Sequence, residues 1–431
     1  MAQPQLLSNG MYPVMRMPSE SGRSTGGDLA VTRWWEDATI DSGGSKVLRR
    51  TDQDASVWWA TDTASFTGRA MQSSLEVAVA GDADVERRRL CISHPAQKTC
   101  ALSATGFAEL LLAAASTDSA HPTVNKLFVV TERDAESQTI LATRRRSAPA
   151  DPAPWLFHQV ATHGGPVLDP VAAVRVPLRL LPGASCPLDR TTGIAASRDP
   201  GVALARRCRE AGAGDHILDG ILAFRRDTLR RLAASEDDAA LVERLAGSVL
   251  VANPAARAPP DELALNRRGQ SSLWAFGISG DVPIVFIEVA SSDDAPALCR
   301  LVRAHAFWAA HGLRTALMVV HGRAGSAGSL SGDAIRALID SGGSAALRGK
   351  PGGIFLRDGE PLDDGDRLRL RSAARIQVAV EAAWAVVDDV LTDHHPTLPY
   401  ERGSGGPPAA DTLIAADGGW HAPSANESCP P

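Results

Sequence analysis

Lysine and tyrosine are scarce in this sequence. Four lysines and two tyrosines occur among 431 residues, so arginine supplies 40 of the 44 basic side chains. Aspartate and glutamate together number 50, which gives a formal net charge of −6 at pH 7. A slightly acidic chain has no overall positive field to hold a polyanion. The composition therefore argues against nucleic acid or an anionic membrane surface as the main partner.

Long apolar runs and closely spaced cysteines are also missing. The longest apolar run, around residues 110–115, is far shorter than the roughly 20 residues that a membrane-spanning helix needs. The first ten residues contain neither a basic nor an apolar stretch, so no export signal is expected. The six cysteines form no C-x-x-C pair. We expect a cytoplasmic protein with reduced thiols and no zinc ribbon, with a Cys91–Cys100 disulfide across a hairpin as the alternative.

Motifs that bind nucleotides or perform hydrolysis are absent from the sequence. There is no Walker A, G-x-S-x-G or H-E-x-x-H motif, and no G-x-G-x-x-G follows a strand. We therefore expect no cofactor. The run at 388–395 (DDVLTDHH) places carboxylates and imidazoles close together. A metal site and a solvated helix end both explain that run, and we expect no metal.

The first half of the chain has the pattern of an all-β region. From Leu6 to about residue 190, short apolar stretches are separated by glycine, proline, aspartate and serine, as in a large antiparallel sandwich. Pro177 predicts an edge strand or a bulge, because proline cannot donate a backbone hydrogen bond to a neighbouring strand. The clearest predicted strands are 77–79, 88–92, 102–112, 127–131, 139–143 and 171–181.

The second half first becomes helical and then alternates between strand and helix. Apolar residues recur at helical spacing in 200–208, 217–234 and 237–251. Beyond residue 266, apolar runs of strand length alternate with amphipathic helices, which predicts a small parallel sheet covered by helices. A polar tail rich in proline and glycine follows residue 400, and we expect it to be loosely ordered. The predicted strands are 282–289, 315–320 and 353–356, and the predicted helices are 295–311 and 332–340.

Residues 33–37 (RWWED) are the densest polar and aromatic cluster of the β region. A sugar site needs an aromatic face against the C–H face of the pyranose, with carboxylates and arginine to bond its hydroxyls. Arg33, Trp34, Glu36 and Asp37 supply these groups. Because neighbouring side chains of a strand point to opposite faces, at most half of them would line one site. Core tryptophan beside an ion pair is the alternative interpretation.

A second cluster, residues 266–281, precedes the first apolar strand of the α/β region. It concentrates amides, hydroxyls, Gln270, Trp274 and Asp281 between glycines, a composition suited to a polyhydroxylated ligand. Asp281 comes just before a buried strand, where desolvation would raise the pKa of its carboxyl and favour a general acid. The alternative is a turn residue that bonds backbone N–H groups.

Several ordered motifs resemble the group of cyclic β-1,2-glucan synthases and cellobiose-type phosphorylases, formerly glycosyltransferase family 36. Residues 7–15 (LSNGMYPVM) and 28–37 (DLAVTRWWED) resemble the start of that group's β-supersandwich. Pieces of 121–145 continue the match in order. Residues 266–285 (NRRGQSSLWAFGISGDVPIV) resemble a signature of the group. The resemblance covers about 6–380, although the stretch between Trp59 and Leu75 is shorter than in the family.

The resemblance implies an α+β fold in four parts. These are a carbohydrate-binding antiparallel β-supersandwich (1–192), a helical connector (193–260), a small α/β domain with a parallel sheet (261–398) and a loosely ordered tail (399–431).

The resemblance also implies a carbohydrate-active function. The chain would bind or position a β-glucan oligosaccharide, while the family's catalytic (α/α)6 barrel, which is missing here, would be a separate partner chain. Asp281 and Glu36 are the carboxylates that we nominate for a catalytic role. The alternatives are an active glycosyltransferase or glycoside phosphorylase, and a remnant without function.

Overall fold

The fold combines two antiparallel sheets, a series of helices and a small parallel sheet. All residues of the computed structural model that are described lie in one compact unit. Trp34, Glu36, Asp37, the run 388–395 and the predicted tail lie outside the described residues. The described residues are 5–16, 22–33, 45–51, 54–59, 72–94, 99–137, 139–146, 148, 151, 153–159, 165–166, 171–210, 213–250, 253–322, 330–341, 345–358 and 362–378.

The first antiparallel sheet has eight strands, which are β1 Gln5–Leu7, β2 Val14–Arg16, β3 Gly22–Gly26, β4 Leu29–Thr32, β5 Ser45–Thr51, β6 Asp54–Trp59, β9 Cys100–Ala113 and β14 Val171–Leu180. Its order is β1-β2-β3-β4-β9-β5-β6, and β14 also pairs with β9. Pro177 of β14 lies opposite Ser103 of β9, and β14 has no second partner strand within the described ranges. The predicted edge position of Pro177 is therefore confirmed.

The second antiparallel sheet has seven strands, which are β7 Gln72–Val79, β8 Val85–Ser93, β10 Val129–Asp134, β11 Thr139–Arg144, β12 Trp155–Gln159, β13 Gly165–Pro166 and β15 Ser185–Ala195. Its order is β13-β10-β11-β12-β15-β8-β7. Leu110 and Leu112 of β9 join Leu141, Leu156 and Phe157 of this sheet in one apolar cluster, which fills the interior of the sandwich. The predicted strands of the first half are confirmed, and so is the sandwich.

The parallel sheet and the helices form the second half. The sheet order is β18-β17-β16-β19, and each pairing is parallel. Its central strands are almost fully buried, as expected of a parallel sheet covered by helices. The predicted α+β class is confirmed. The strands of this sheet are β16 Ile284–Val289, β17 Ala316–His321, β18 Ile354–Asp358 and β19 Ile376–Val378. The helices of the described chain are α1 Ala115–Ala120, α2 Pro122–Lys126, α3 Arg198–Arg207, α4 Ala213–Leu232, α5 Glu236–Leu250, α6 Pro260–Leu265, α7 Ala295–Ala310, α8 Gly332–Ser341 and α9 Asp364–Ala373.

The β1–β2 hairpin contributes to two apolar cores at once. Leu6 and Met15 lie opposite each other and pack in the cluster that contains Trp308 of α7. Tyr12 and Val14 pack instead in the cluster inside the sandwich. This division follows from strand geometry, because neighbouring side chains point to opposite faces. The hairpin therefore joins the sandwich to the α/β region.

The connection between β1 and β2 is held by the side chain of Asn9. Its Nδ2 donates to the carbonyl oxygens of Ala80 and Ala83, both at 2.9 Å, next to the β7–β8 turn. Its Oδ1 accepts from the backbone N–H groups of Met11 and Tyr12 at 2.9 and 2.8 Å. One amide thus fixes the hairpin turn on the second sheet.

Two findings bear on the sequence-based expectations about thiols and membranes. Cys91 and Cys100 are free thiols, so the alternative disulfide across the hairpin is not formed. Among the described residues, no helix combines the length and the apolar character needed to cross a bilayer.

Candidate functional site

Arg33 lies buried at the end of β4, with 2% of its surface exposed. Its Nε and Nη2 donate to the two carboxylate oxygens of Asp118, each at 2.8 Å. This bidentate geometry is the strongest form of an arginine–carboxylate contact. The pair joins α1 to the end of β4. The carbohydrate role assigned to Arg33 with Trp34, Glu36 and Asp37 stays a prediction.

A second set of buried charges lies inside the sandwich. Arg88 of β8 and Arg190 of β15 are directly opposite each other, although like charges in that arrangement repel. Glu86 supplies a negative charge beside them. Its Oε2 accepts from Ser24 Oγ at 2.9 Å and from Arg88 Nη2 at 3.2 Å. Burial, reinforced by Arg88, lowers the pKa of Arg190 to about 9. Burial also lowers the pKa of His158 well below its ordinary value, with Arg190 and Arg88 acting in the same sense.

The loop at 266–281 stands on the parallel sheet. A 3-10 helix, Gln270–Phe276, forms its centre. Leu273, Phe276 and Ile278 are buried and pack in the apolar cluster on one face of the sheet. Gly277 ends the helix in the left-handed conformation with φ of +72°, which lets its N–H donate to the Trp274 carbonyl oxygen at 2.9 Å. The apolar residues of the motif therefore anchor the loop and leave its polar residues outside.

Gln270 and Asp281 form the polar part of the exposed loop surface. Gln270 Nε2 donates to Asp281 Oδ1 at 3.0 Å and to the carbonyl oxygen of Ser279 at 2.9 Å. Gly280 makes this approach feasible, because a Cβ atom there would lie 2.7 Å from Gln270 Cγ. Within the described ranges, no protein group bonds Gln270 Oε1 or Asp281 Oδ2. Both oxygens can therefore accept hydrogen bonds from a ligand.

The burial that we expected for Asp281 is wrong, because the residue is exposed. The cause is the course of the chain: Gly280 has φ of +78°, and strand β16 begins only at Ile284. Asp281 therefore stays at the surface, where its backbone N–H donates to Ser279 Oγ at 3.3 Å. The proposed desolvation of its carboxyl is absent.

Trp274 supplies an aromatic face on the same short helix. It is 67% exposed, whereas its neighbour Leu273 is 5% exposed. Trp274 follows Gln270 by four residues on this helix, which corresponds to a rise of about 8 Å and about a third of a turn around the axis. The structure thus brings Gln270 and Asp281 into contact, leaves Trp274 exposed on the same loop, and places Arg33 elsewhere, in the sandwich.

An open cavity of about 390 Å³ adjoins this loop at Gly277. Three arginines line it: Arg336 of α8, Arg348 from the turn before β18, and Arg357 of β18. Arg357 Nη2 donates to the Phe276 carbonyl oxygen at 2.8 Å and so joins β18 to the loop. Sequence reasoning did not find these arginines, because they come from three separate elements and form no motif.

Among the described residues, no group of three or more His, Cys, Asp or Glu side chains could hold a metal ion.

A second cavity, of about 560 Å³, lies between the β7–β8 turn and helices α3 and α4. Cys208 and His216 are among the residues that line it. Burial raises the pKa of the Cys208 thiol. That raised pKa disfavours the thiolate form that a nucleophilic cysteine needs.

Comparison with known proteins gives one family and one curated relative. The family described as "Glycosyl hydrolase 94, supersandwich domain" matches residues 61–166. The chain is 25% identical over 379 residues to "Cyclic beta-(1,2)-glucan synthase NdvB" of Rhizobium meliloti (strain 1021), a match that covers 74% of this chain. It spans only 13% of the length of that relative.

Among solved structures, a polysaccharide lyase matches with a TM-score of 0.26 and 8% identity, over 46% of this chain and 33% of the lyase. That likeness is too weak to inform the fold or the site.

The family match and the fold agree with each other. Residues 61–166 include strands β7 to β13, which come from both antiparallel sheets of the sandwich. The curated relative is matched over a much longer stretch than the sandwich alone. This chain is therefore a divergent relative of the glycosyl hydrolase 94 and cyclic β-(1,2)-glucan synthase group.

Proposed function

We propose that this chain binds or positions a β-glucan on the exposed surface formed by Gln270, Trp274 and Asp281. The observation that carries the proposal is the 67% exposed indole of Trp274 on the loop that also exposes the Gln270–Asp281 pair. The name of the curated relative suggests β-1,2-linked glucan as the ligand. In this proposal the chain acts in the cytoplasm, and the transfer chemistry belongs to a separate catalytic barrel.

The chemistry of these three side chains suits a sugar. The indole offers a flat apolar face to the C–H face of a pyranose. Gln270 Oε1 and Asp281 Oδ2 accept hydrogen bonds from hydroxyl groups, and the carboxylate gives the stronger bond because it is charged. All three side chains remain in contact with water, so each contact adds only about 1 kcal/mol. We therefore expect a dissociation constant on the order of 1 mM.

Isothermal titration of the full chain with β-1,2-gluco-oligosaccharides tests this proposal. Replacing Trp274 with Ala should reduce the affinity about fivefold, which corresponds to the loss of about 1 kcal/mol, and replacing Gln270 with Ala should also weaken it. Leu265→Ala is the matched control, because Leu265 is an equally exposed apolar side chain at 68% and lies outside the proposed surface. Absence of heat with the unmodified chain, or equal losses in the Trp274 and Leu265 variants, would remove the proposal.

The catalytic roles of Asp281 and Glu36 stay predictions. An inverting glycosidase needs two carboxyl groups roughly 6.5–9.5 Å apart, on opposite sides of the scissile bond. Asp281 is exposed, and Glu36 lies outside the described residues. We expect the chain alone to release no sugar phosphate from β-glucan and inorganic phosphate. Release of sugar phosphate would instead support the alternative of an active phosphorylase.

A further inference from the structure

The cavity beside the loop has a one-sided distribution of charge. Among the residues that the structure describes, its lining contains three arginines, Arg336, Arg348 and Arg357, and no aspartate or glutamate. The rest of the lining is apolar or glycine and includes Phe355 and Leu356 of β18. The cavity therefore combines several guanidinium groups with an apolar floor, within a volume of about 390 Å³.

Two of the three arginines have carboxylate partners outside the lining. Arg336 contacts Asp333, one turn earlier on α8, and Arg348 Nη1 lies 3.1 Å from an oxygen of Asp340. Both arginine side chains are more than 40% exposed. Exposed ion pairs of this kind stabilise a protein by about 0–1 kcal/mol, so a ligand can compete for their donors.

Arg357 differs from the other two. Its Nη2 donates to the carbonyl oxygen of Phe276 at 2.8 Å, and its Nη1 donates to that of Leu356 at 3.2 Å. Within the described ranges no carboxylate pairs with it. No described acid therefore neutralises its positive charge, and a guanidinium has five N–H donors, more than these two contacts use.

Gly277 places this positive charge next to the proposed sugar surface. A Cβ atom at Gly277 would lie 3.1 Å from Arg357 Nη2, so the absence of a side chain permits the close approach. The same glycine ends the helix that carries Gln270 and Trp274. The cationic cavity therefore adjoins the loop three residues after Trp274, at the end of the helix that carries the indole.

We infer that the cavity of Arg336, Arg348 and Arg357 is an oxyanion subsite for a phosphate or carboxylate substituent carried by the bound carbohydrate. Guanidinium groups match both oxyanions because their planar forks donate two parallel hydrogen bonds. The apolar floor accommodates the carbon atoms next to the substituent. This inference rests on the proposed function, since it adds a second contact to the same ligand.

The test is isothermal titration of the full chain with four probes: neutral β-1,2-gluco-oligosaccharide, glucose, glucose 6-phosphate and glucuronate. Glucose 6-phosphate, glucuronate or both should bind at least tenfold more tightly than glucose, and the better probe identifies the substituent. The preference should weaken as salt is added, because salt screens exposed charges. Equal affinities for glucose and both anionic probes would overturn the subsite.

The double variant Arg336→Gln with Arg348→Gln should abolish this preference and leave binding of the neutral oligosaccharide unchanged. Arg230→Gln is the matched control, because Arg230 on α4 also pairs with an aspartate three residues earlier and is 71% exposed. An equal loss in both variants would overturn the inference, as would inorganic phosphate binding as tightly as glucose 6-phosphate. Failure of the neutral oligosaccharide to bind would overturn the proposed function and the inference that rests on it, whereas its binding without any anion preference would overturn only the subsite.

Discussion

Acid should destabilise this protein through His311, which lies buried at the end of α7. The imidazole stacks on Phe307 with 4.0 Å between ring centroids and meets Phe224 of α4 edge-on at 5.3 Å. Its Nδ1 is 2.8 Å from the Phe307 carbonyl oxygen. Burial lowers the pKa of His311 from 6.5 to about 4, and Arg225 and Arg231 act in the same sense, against the effect of the backbone contact. The side chain is therefore neutral in the folded state at pH 7.

The sign and size of the effect follow from the linkage between protonation and folding. Between pH 6.5 and pH 4 the unfolded chain binds a proton at His311 and the folded chain does not, so the free energy of unfolding falls as the pH falls. The contribution is fully present above pH 6.5 and is lost towards pH 4. From pH 7 to pH 5 the loss amounts to about 2 kcal/mol from this side chain alone.

Urea unfolding followed by circular dichroism at pH 7 and pH 5 measures this loss. His311→Gln removes the titrating group, so the variant should lose about 2 kcal/mol less than the unmodified protein over this range. The variant will be less stable at pH 7, but only the difference between the two pH values is compared. Leu222→Gln on the adjacent helix α4 is the control, because it removes an exposed side chain that does not titrate. Identical pH dependence in the His311 variant and the unmodified protein would refute the reasoning.

Two further substitutions test the loop and the buried ion pair. Gly280→Ala should displace Gln270 and weaken oligosaccharide binding. Gly183 has a similar φ but open space around it, so Gly183→Ala should cost about 1 kcal/mol of stability without affecting binding. Titration calorimetry and thermal melts separate the two effects, and equal binding losses would contradict the role of Gly280. Arg33→Met should destabilise the fold by about 3–5 kcal/mol in urea unfolding, because Asp118 is left buried and unpaired. Adding Asp118→Leu should recover much of that loss, and no recovery would show that the pair is not the cause.

Elements with strong periodicity could be predicted from the sequence, and polar elements could not. The apolar runs of β16 and β17 and the amphipathic α7 leave little choice of structure. Strand β15 escaped prediction because its first half is partly exposed and includes Pro187 and Asp189. Half of the residues of helix α9 are charged, and its start depends on Asp363, whose side chain accepts from the Asp366 N–H. Such contacts become visible only when the chain is folded.

The candidate site was predictable in composition but not in geometry. The motif at 266–281 identified Gln270, Trp274 and Asp281, all of which are exposed in the same loop. The exposure of Asp281 depends on the left-handed conformation of Gly280, which the order of residue types does not reveal. The cavity arginines come from α8, from the turn before β18 and from β18 itself, so their meeting at one cavity depends on the folded arrangement of these elements.

The hairpin that begins the described chain limits how this protein can be dissected. Leu6 and Met15 complete a core built otherwise from residues beyond 228, so a fragment that starts at residue 193 or 261 would expose a water-filled gap where these two side chains belong. Gene truncation from the amino terminus should therefore damage the carboxyl-terminal half first. Expression of either half on its own requires the opening sixteen residues as well, fused to that half or supplied as a peptide.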